Sequence, residues 1–304
     1  MREISLLDAP CNLGLRPPSP GAAPGAAKLA SALRARGLLE KLGAHDAGRL
    51  TPPAYSPDPD PETWYRNGQG LKSFSPILAD RVEPIVRSGR FALVLGGDCS
   101  VLIGSVLGLK PLGRYGLCFI DAHDDFSVVR DLERYKGFLA AAGLDLGIVT
   151  GRAPGGLGDL RGCGPYVREE DVVLLGLSRE EADTEWFATE TLDTTAMHQI
   201  PVHRIRELGP AAAAQDALAF LDQRPLDGFW IHLDVDVLDK KHMPAVDSPN
   251  PDGLDYAQLD AALRVLLADP KAVGMDLTIY DPELDPKGAY GDRLVEMLIG
   301  AFAR

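Results

Sequence analysis

Three short stretches gather the residues that could do chemistry: "GGDCS" at 96–100, "DAHDD" at 121–125 and "LDVDVLD" at 233–239. Asp121, His123 and Asp125 alternate, so an extended backbone would turn all three to one side, and Asp234 and Asp236 alternate likewise with Asp239 close behind. Each Asp taken alone reads more readily as a helix cap. Together, however, so many carboxylates repel one another, and that cost must be offset by cations or protons. Oxygen donors with an imidazole suit hard or borderline divalent ions such as Mn²⁺, and Asp121 and Asp234 could bridge a pair of them roughly 3.5–4 Å apart. Such a pair activates water near neutral pH, which makes hydrolysis the default chemistry.

Each acidic stretch closes an apolar run, and these runs must do the positioning. Residues 3–9, 91–98, 116–123, 172–178, 229–236 and 273–281 read as strands covered on both faces, as in parallel sheets whose crossovers are helices. Residues 25–43, 75–89, 209–223, 255–269 and 291–303 carry apolar side chains at three- and four-residue spacing and read as the covering helices. The fold class is therefore α/β, a three-layer α/β/α sandwich with a mainly parallel central sheet, and residues 1–304 form a single domain. In such a sheet the carboxyl ends of the strands share one edge, where ligands bind, so sequence-distant acids converge there. The Pro-, Asp- and Gly-rich stretch 51–70 reads as a surface excursion.

A formal charge of -13 disfavours nucleic acid as a partner. The N-terminus lacks the pattern of a signal peptide and no apolar run approaches the length of a membrane span, so a cytoplasmic location without membrane contact is expected. The four cysteines, Cys11, Cys99, Cys118 and Cys163, lack the spacing of a disulfide framework or a zinc ribbon.

With these residues in view, the chain resembles the ureohydrolases, the arginase, agmatinase and formimidoylglutamase group, whose metal motifs look like GGDHS, DAHxD and SxDxD. Here stand "GGDCS", "DAHDD" and "HLDVD", and the resemblance extends to residues 14–38 and to "VGMDLTIYDPELDP" at 273–286. It implies an arginase-like sandwich and two Mn²⁺ per chain held by Cys99, Asp121, His123, Asp125, Asp234 and Asp236. Asp98 would support the site from behind, and a homo-oligomer, trimer or hexamer, is implied. The implied substrate is a small linear amidino or guanidino compound, with Asp125 orienting the attacking water.

The departures from the family pattern bear on substrate. Cys99 takes the place of a histidine ligand, and a thiolate, softer than Mn²⁺ prefers, points to weaker binding or to Zn²⁺ or Fe²⁺. In this respect the chain is similar to a subgroup represented by the hydroxyarginine hydrolase of D-cycloserine synthesis. Ala142 stands where the family's proton-shuttling His would be, and Ile279 where a Glu grips a guanidinium, so plain arginine is not the expected substrate. Ser127, Arg179 and Glu181 are the substrate-binding candidates, and an Arg at 179 would favour a substrate carboxylate. His232, on the strand face of Asp234 where many members carry Ser, is a candidate for a hydrogen-bonding catalytic role or a satisfied core histidine. His242 is a substitute acid/base candidate. The alternatives are a metal-poor, inactive binding or regulatory subunit and an amide hydrolase of the deacetylase type.

Overall fold

The computed structural model describes residues 3–126, 132–178 and 192–303. Among them the strands are β1 (Ile4–Asp8), β2 (His45–Arg49), β3 (Phe91–Leu95), β4 (Tyr115–Ile120), β5 (Val172–Leu175), β6 (His198–Ile200), β7 (Gly228–Asp234) and β8 (Ala272–Thr278). All pairings are parallel, in the order β2-β1-β3-β8-β7-β4-β5-β6. The six strands expected from the apolar runs form the interior, β1 and β5 included. The two that sequence reasoning missed, β2 and β6, are the edges. Edge position explains the omission, because "HDAGR" is half-exposed and "HQI" is too short to carry a pattern.

The helices are α1 (Leu29–Ala35), α2 (Leu38–Leu42), α3 (Gly68–Arg87), α4 (Val101–Leu107), α5 (Asp145–Val149), α6 (Val202–Leu208), α7 (Pro210–Asp222), α8 (Tyr256–Ala268) and α9 (Ala289–Phe302). Alternation along each strand divides the core in two. Leu6, Leu93, Phe229 and Ile231 pack with α1, α6, α7, α8 and α9. Leu7, Val94, Phe119 and Trp230 pack with α3, α4 and α5 on the opposite face. The result is the expected three-layer sandwich, both faces of the sheet being covered as its near-continuous hydrophobicity requires.

One local expectation needs correction. The helix expected over 25–43 is broken at Gly37, whose φ of 76° lies in the left-handed region that stops α1 and restarts the chain as α2. The stretch 51–70 is largely a surface excursion as expected, and it is anchored by buried Tyr65, whose hydroxyl donates to the Pro154 carbonyl at 2.7 Å.

Candidate metal centre

Strands β3, β4 and β7 lie near the middle of the sheet and release their chains at one carboxyl edge. The alternating extended geometry expected beyond β4 and β7 does not occur. β4 stops at Ile120 and β7 at Asp234, and the acids converge through turns instead. Asp121 Oδ1 accepts the His123 N–H at 2.7 Å, and Asp234 Oδ1 accepts the Asp236 N–H at 2.7 Å. Each Asp thus uses one oxygen to cap its turn. The second oxygens are what remain: Asp234 Oδ2 accepts from Cys99 Sγ at 2.9 Å, and buried Asp121 Oδ2 has no hydrogen-bond partner among the described residues. Asp125 has a φ of 41°, unusual for a residue with a Cβ and of the kind that accumulates at functional sites.

At the end of β3 the backbone is pressed against the loop after β1: a Cβ on Gly97 would lie 1.7 Å from the Cys11 carbonyl oxygen. Asp98 fixes this junction, accepting from Gly14 N–H and Ser100 N–H, both at 2.8 Å. That leaves Cys99 facing Asp234, with Thr278 Oγ1 at 3.3 Å.

Five of the six residues expected as metal ligands come together in two overlapping groups, and the sixth, Asp234, joins them through its contact with Cys99 Sγ. Donor atoms of Asp121, His123 and Asp236 lie within 4.8 Å of one another, as do those of Cys99, Asp121 and Asp125. His123 Nδ1 is 3.0 Å from Asp236 Oδ2 and 3.6 Å from Asp121 Oδ1. His232 lies fully inside, stacked on Phe119 with ring centroids 4.7 Å apart, and its Nδ1 contacts Asp276 Oδ1. The other Asp276 oxygen accepts from Trp230 Nε1 at 2.7 Å.

Sequence reasoning missed Asp145. It opens α5, is wholly buried, and joins Cys99 and His232 in a third group within the same 4.8 Å limit. The available signal was a lone acid in the otherwise apolar run "GLDLGIV". Ser127, Arg179 and Glu181 lie outside the described residues. Asp239 turns away to cap Lys241 N–H at 2.9 Å, and His242 packs edge-on against Tyr256.

Electrostatics at this edge favour protons or cations. Burial first, and the Asp236 charge second, push the Asp121 carboxyl up to about 7. Burial also drives Asp125, Asp145 and Asp234 well above the usual carboxylate range, with repulsion from neighbouring Asp residues adding to it. The Cys99 thiol is raised by burial and by Asp234. A divalent ion would remove this penalty and supply the partner that Asp121 Oδ2 lacks, so the donor set fits a metal.

At the donors opens a cavity of about 690 Å³, lined by Cys99, His123, Asp125, Asp234 and Asp236 and also by Leu15, Arg16, Val246 and Asp247. Ala142 and Ile279 also line it, with no proton-carrying or anionic side chain at either position. Ile279 is itself strained, at a φ of 73° that β-branched residues rarely adopt.

The Arginase family model matches residues 2–301. Arginase of Staphylococcus aureus (strain COL) is 27% identical over 314 residues, covering 99% of this chain and 97% of the relative. Arginase of Bacillus caldovelox is 27% identical over 312 residues, covering 99% of this chain and 98% of its own, and its native crystal structure superposes with a TM-score of 0.86 at 25% identity, covering 100% and 99%. Formimidoylglutamase of Bacillus subtilis shares the fold with a TM-score of 0.73 at 17% identity, covering 99% and 86%. Three metal-type motifs in family order, on a parallel sheet whose edge gathers them, agree with these matches along the whole chain. The chain belongs to the arginase family, within the ureohydrolases.

Proposed function

We propose that this protein hydrolyses a C–N bond, other than a peptide bond, in a small linear amidine or guanidine other than plain arginine. The observation that carries the reading is the convergence of Cys99, His123, Asp125, Asp234 and Asp236 on one open cavity, with Asp121 beside His123 and Asp236. Those residues would hold two divalent ions, with Mn²⁺ expected where the donors are oxygen and imidazole. Ions bound there supply Lewis-acid polarisation of the substrate and activation of water.

The chain's own residues do the rest. Asp125 borders the cavity in a left-handed conformation, where its carboxylate can take the proton of the attacking water and return it to the leaving amine. Ala142 and Gly143 offer no side chain for that transfer. Ile279 presents an apolar wall where a carboxylate would grip a guanidinium, which disfavours a substrate recognised mainly through that charge. Arg16 on the wall can meet a substrate carboxylate, the same preference that an Arg at 179, in place of the family's acids, would give. Ser127 and Glu181 complete the proposed substrate contacts. By analogy with the family the chain works as a homo-oligomer. Among the described residues no helix is long and apolar enough to cross a membrane.

The test is a panel of amidino and guanidino compounds incubated with Mn²⁺-loaded protein and assayed for released amine and urea or amide. Turnover is expected on at least one non-arginine compound and its abolition by a chelator. No turnover across the panel from protein that retains its metal would overturn the proposal.

A further inference from the structure

The most deeply buried of the three donor groups includes Asp145, which belongs to no family motif. Cys99 Sγ, an Asp145 carboxylate oxygen and a His232 ring nitrogen lie within 4.8 Å of one another, and all three residues are almost wholly shielded from solvent. His232 Nε2 and Asp145 Oδ2 are 3.7 Å apart, too far for a hydrogen bond, and each is a buried polar atom without a partner among the described residues. Two such atoms facing each other beside a thiol are costly unless something sits between them.

The far side of the imidazole indicates what that is. Asp276 already accepts from Trp230 Nε1 on one oxygen, so its other oxygen, in contact with His232 Nδ1, accepts the Nδ1–H. An imidazole anchored through Nδ1–H to a carboxylate, and stacked on Phe119, presents its Nε2 lone pair in a fixed direction, which is how metal-binding histidines are held. That direction leads to Asp145 and Cys99.

We propose that Cys99, Asp145 and His232 form a thiolate–carboxylate–imidazole site for a thiophilic divalent ion of the Zn²⁺ class. Two ionised donors and one neutral imidazole balance the charge of one such ion, and sulfur with imidazole selects Zn²⁺ over Mn²⁺. The histidine that position 99 lacks is thereby supplied from the neighbouring part of the sheet, by β7. The inference rests on reading this edge as a metal centre and goes beyond it: the ion nearest Cys99 differs in kind from the ion held by Asp121, His123 and Asp236.

The test titrates metal-free protein with Zn²⁺, Co²⁺ and Mn²⁺ and compares wild type with His232→Asn, Asp145→Asn and Cys99→Ser. His232→Asn is chosen because its side-chain amide can still donate to Asp276 while removing the Nε2 donor. Far-ultraviolet circular dichroism and thermal melting first establish that each variant folds. The expected result is a thiolate-to-Co²⁺ charge-transfer band in wild type that is lost in Cys99→Ser. Zn²⁺ affinity should fall about tenfold or more in both His232→Asn and Asp145→Asn, a ligand costing at least what its supporting partners do. Unchanged Zn²⁺ affinity in both folded variants, or a Co²⁺ spectrum without the thiolate band, would overturn the site, even if Mn²⁺-dependent hydrolysis persisted and the proposed function stood. Conversely, loss of Zn²⁺ affinity in the variants supports the site even if no amidino compound is turned over.

Discussion

The two sides of the metal edge differ in chemistry and in access. On one side Asp121, His123 and Asp236 offer only oxygen and imidazole, and the His123 side chain is 45% exposed. On the other, Cys99, Asp145 and His232 include sulfur and are buried, with only Cys99 reaching the cavity lining. An open oxygen-rich group can exchange ligands and meet substrate, whereas a buried sulfur-containing one would hold an ion by geometry. The difference teaches that two donor groups of unlike chemistry can share one sheet edge, an arrangement suited to two unlike ions.

Several changes would break or sharpen that contrast. The largest effect is expected at the seam between the two groups. Asp234→Ala removes the carboxylate that faces Cys99, and kcat on the best amidino substrate should fall at least about a thousandfold, several kcal/mol of barrier. A variant within tenfold of wild type would remove Asp234 from the site.

Next is the proton balance of the metal-free protein. Asp121 is raised from its ordinary 3.8 to about 7, and Asp125, Asp145 and Asp234 are raised as well. Between those limits the folded chain holds protons that the unfolded chain has released, so this contribution is fully present at low pH and is lost as pH rises through the folded values. Metal-free protein should therefore melt several degrees lower at pH 8 than at pH 5.5, and divalent ions should restore the melting temperature most at pH 8. Equal melting temperatures at the two pH values would show that the acids are not buried together.

Packing behind the site should cost less. Gly97→Ala drives a Cβ into the Cys11 carbonyl and should destabilise the fold by about 1–3 kcal/mol in urea unfolding, with a parallel loss of affinity at Cys99. Full stability in this variant would mean that the β3 end does not need its close approach. The smallest effect is expected on the cavity wall. Ile279→Glu places a carboxylate beside the substrate and should raise kcat/KM for guanidinium compounds about tenfold relative to neutral amidines, in line with one charge-assisted hydrogen bond. An unchanged ratio would place the reactive carbon elsewhere in the cavity.

Much of this arrangement was legible in the sequence, for identifiable reasons. The runs ending in Leu95, Ile120 and Asp234 are apolar on both faces, which only a covered parallel strand explains, and the acids that follow them had to share an edge. The manner of convergence was not legible. Alternation in "DAHDD" and "LDVD" suggests a continuing pleat, but each first Asp captures a backbone N–H two residues on and bends the chain into a turn. Edge strands β2 and β6 carry too little apolar pattern to be read. Asp145 belongs to no motif, and only tertiary packing reveals that it meets Cys99 and His232. His232 could be read either as a core residue or as a working one until its anchored Nδ1 and unpartnered Nε2 were both visible.

Anomalous diffraction from crystals loaded with both Mn²⁺ and Zn²⁺, with data collected at the absorption edge of each metal, tests the account most directly. The account predicts a Mn²⁺ peak among Asp121, His123 and Asp236 and a Zn²⁺ peak bonded to Cys99 Sγ and His232 Nε2. Peaks of the same metal on both sides, or none beside Cys99, would contradict it.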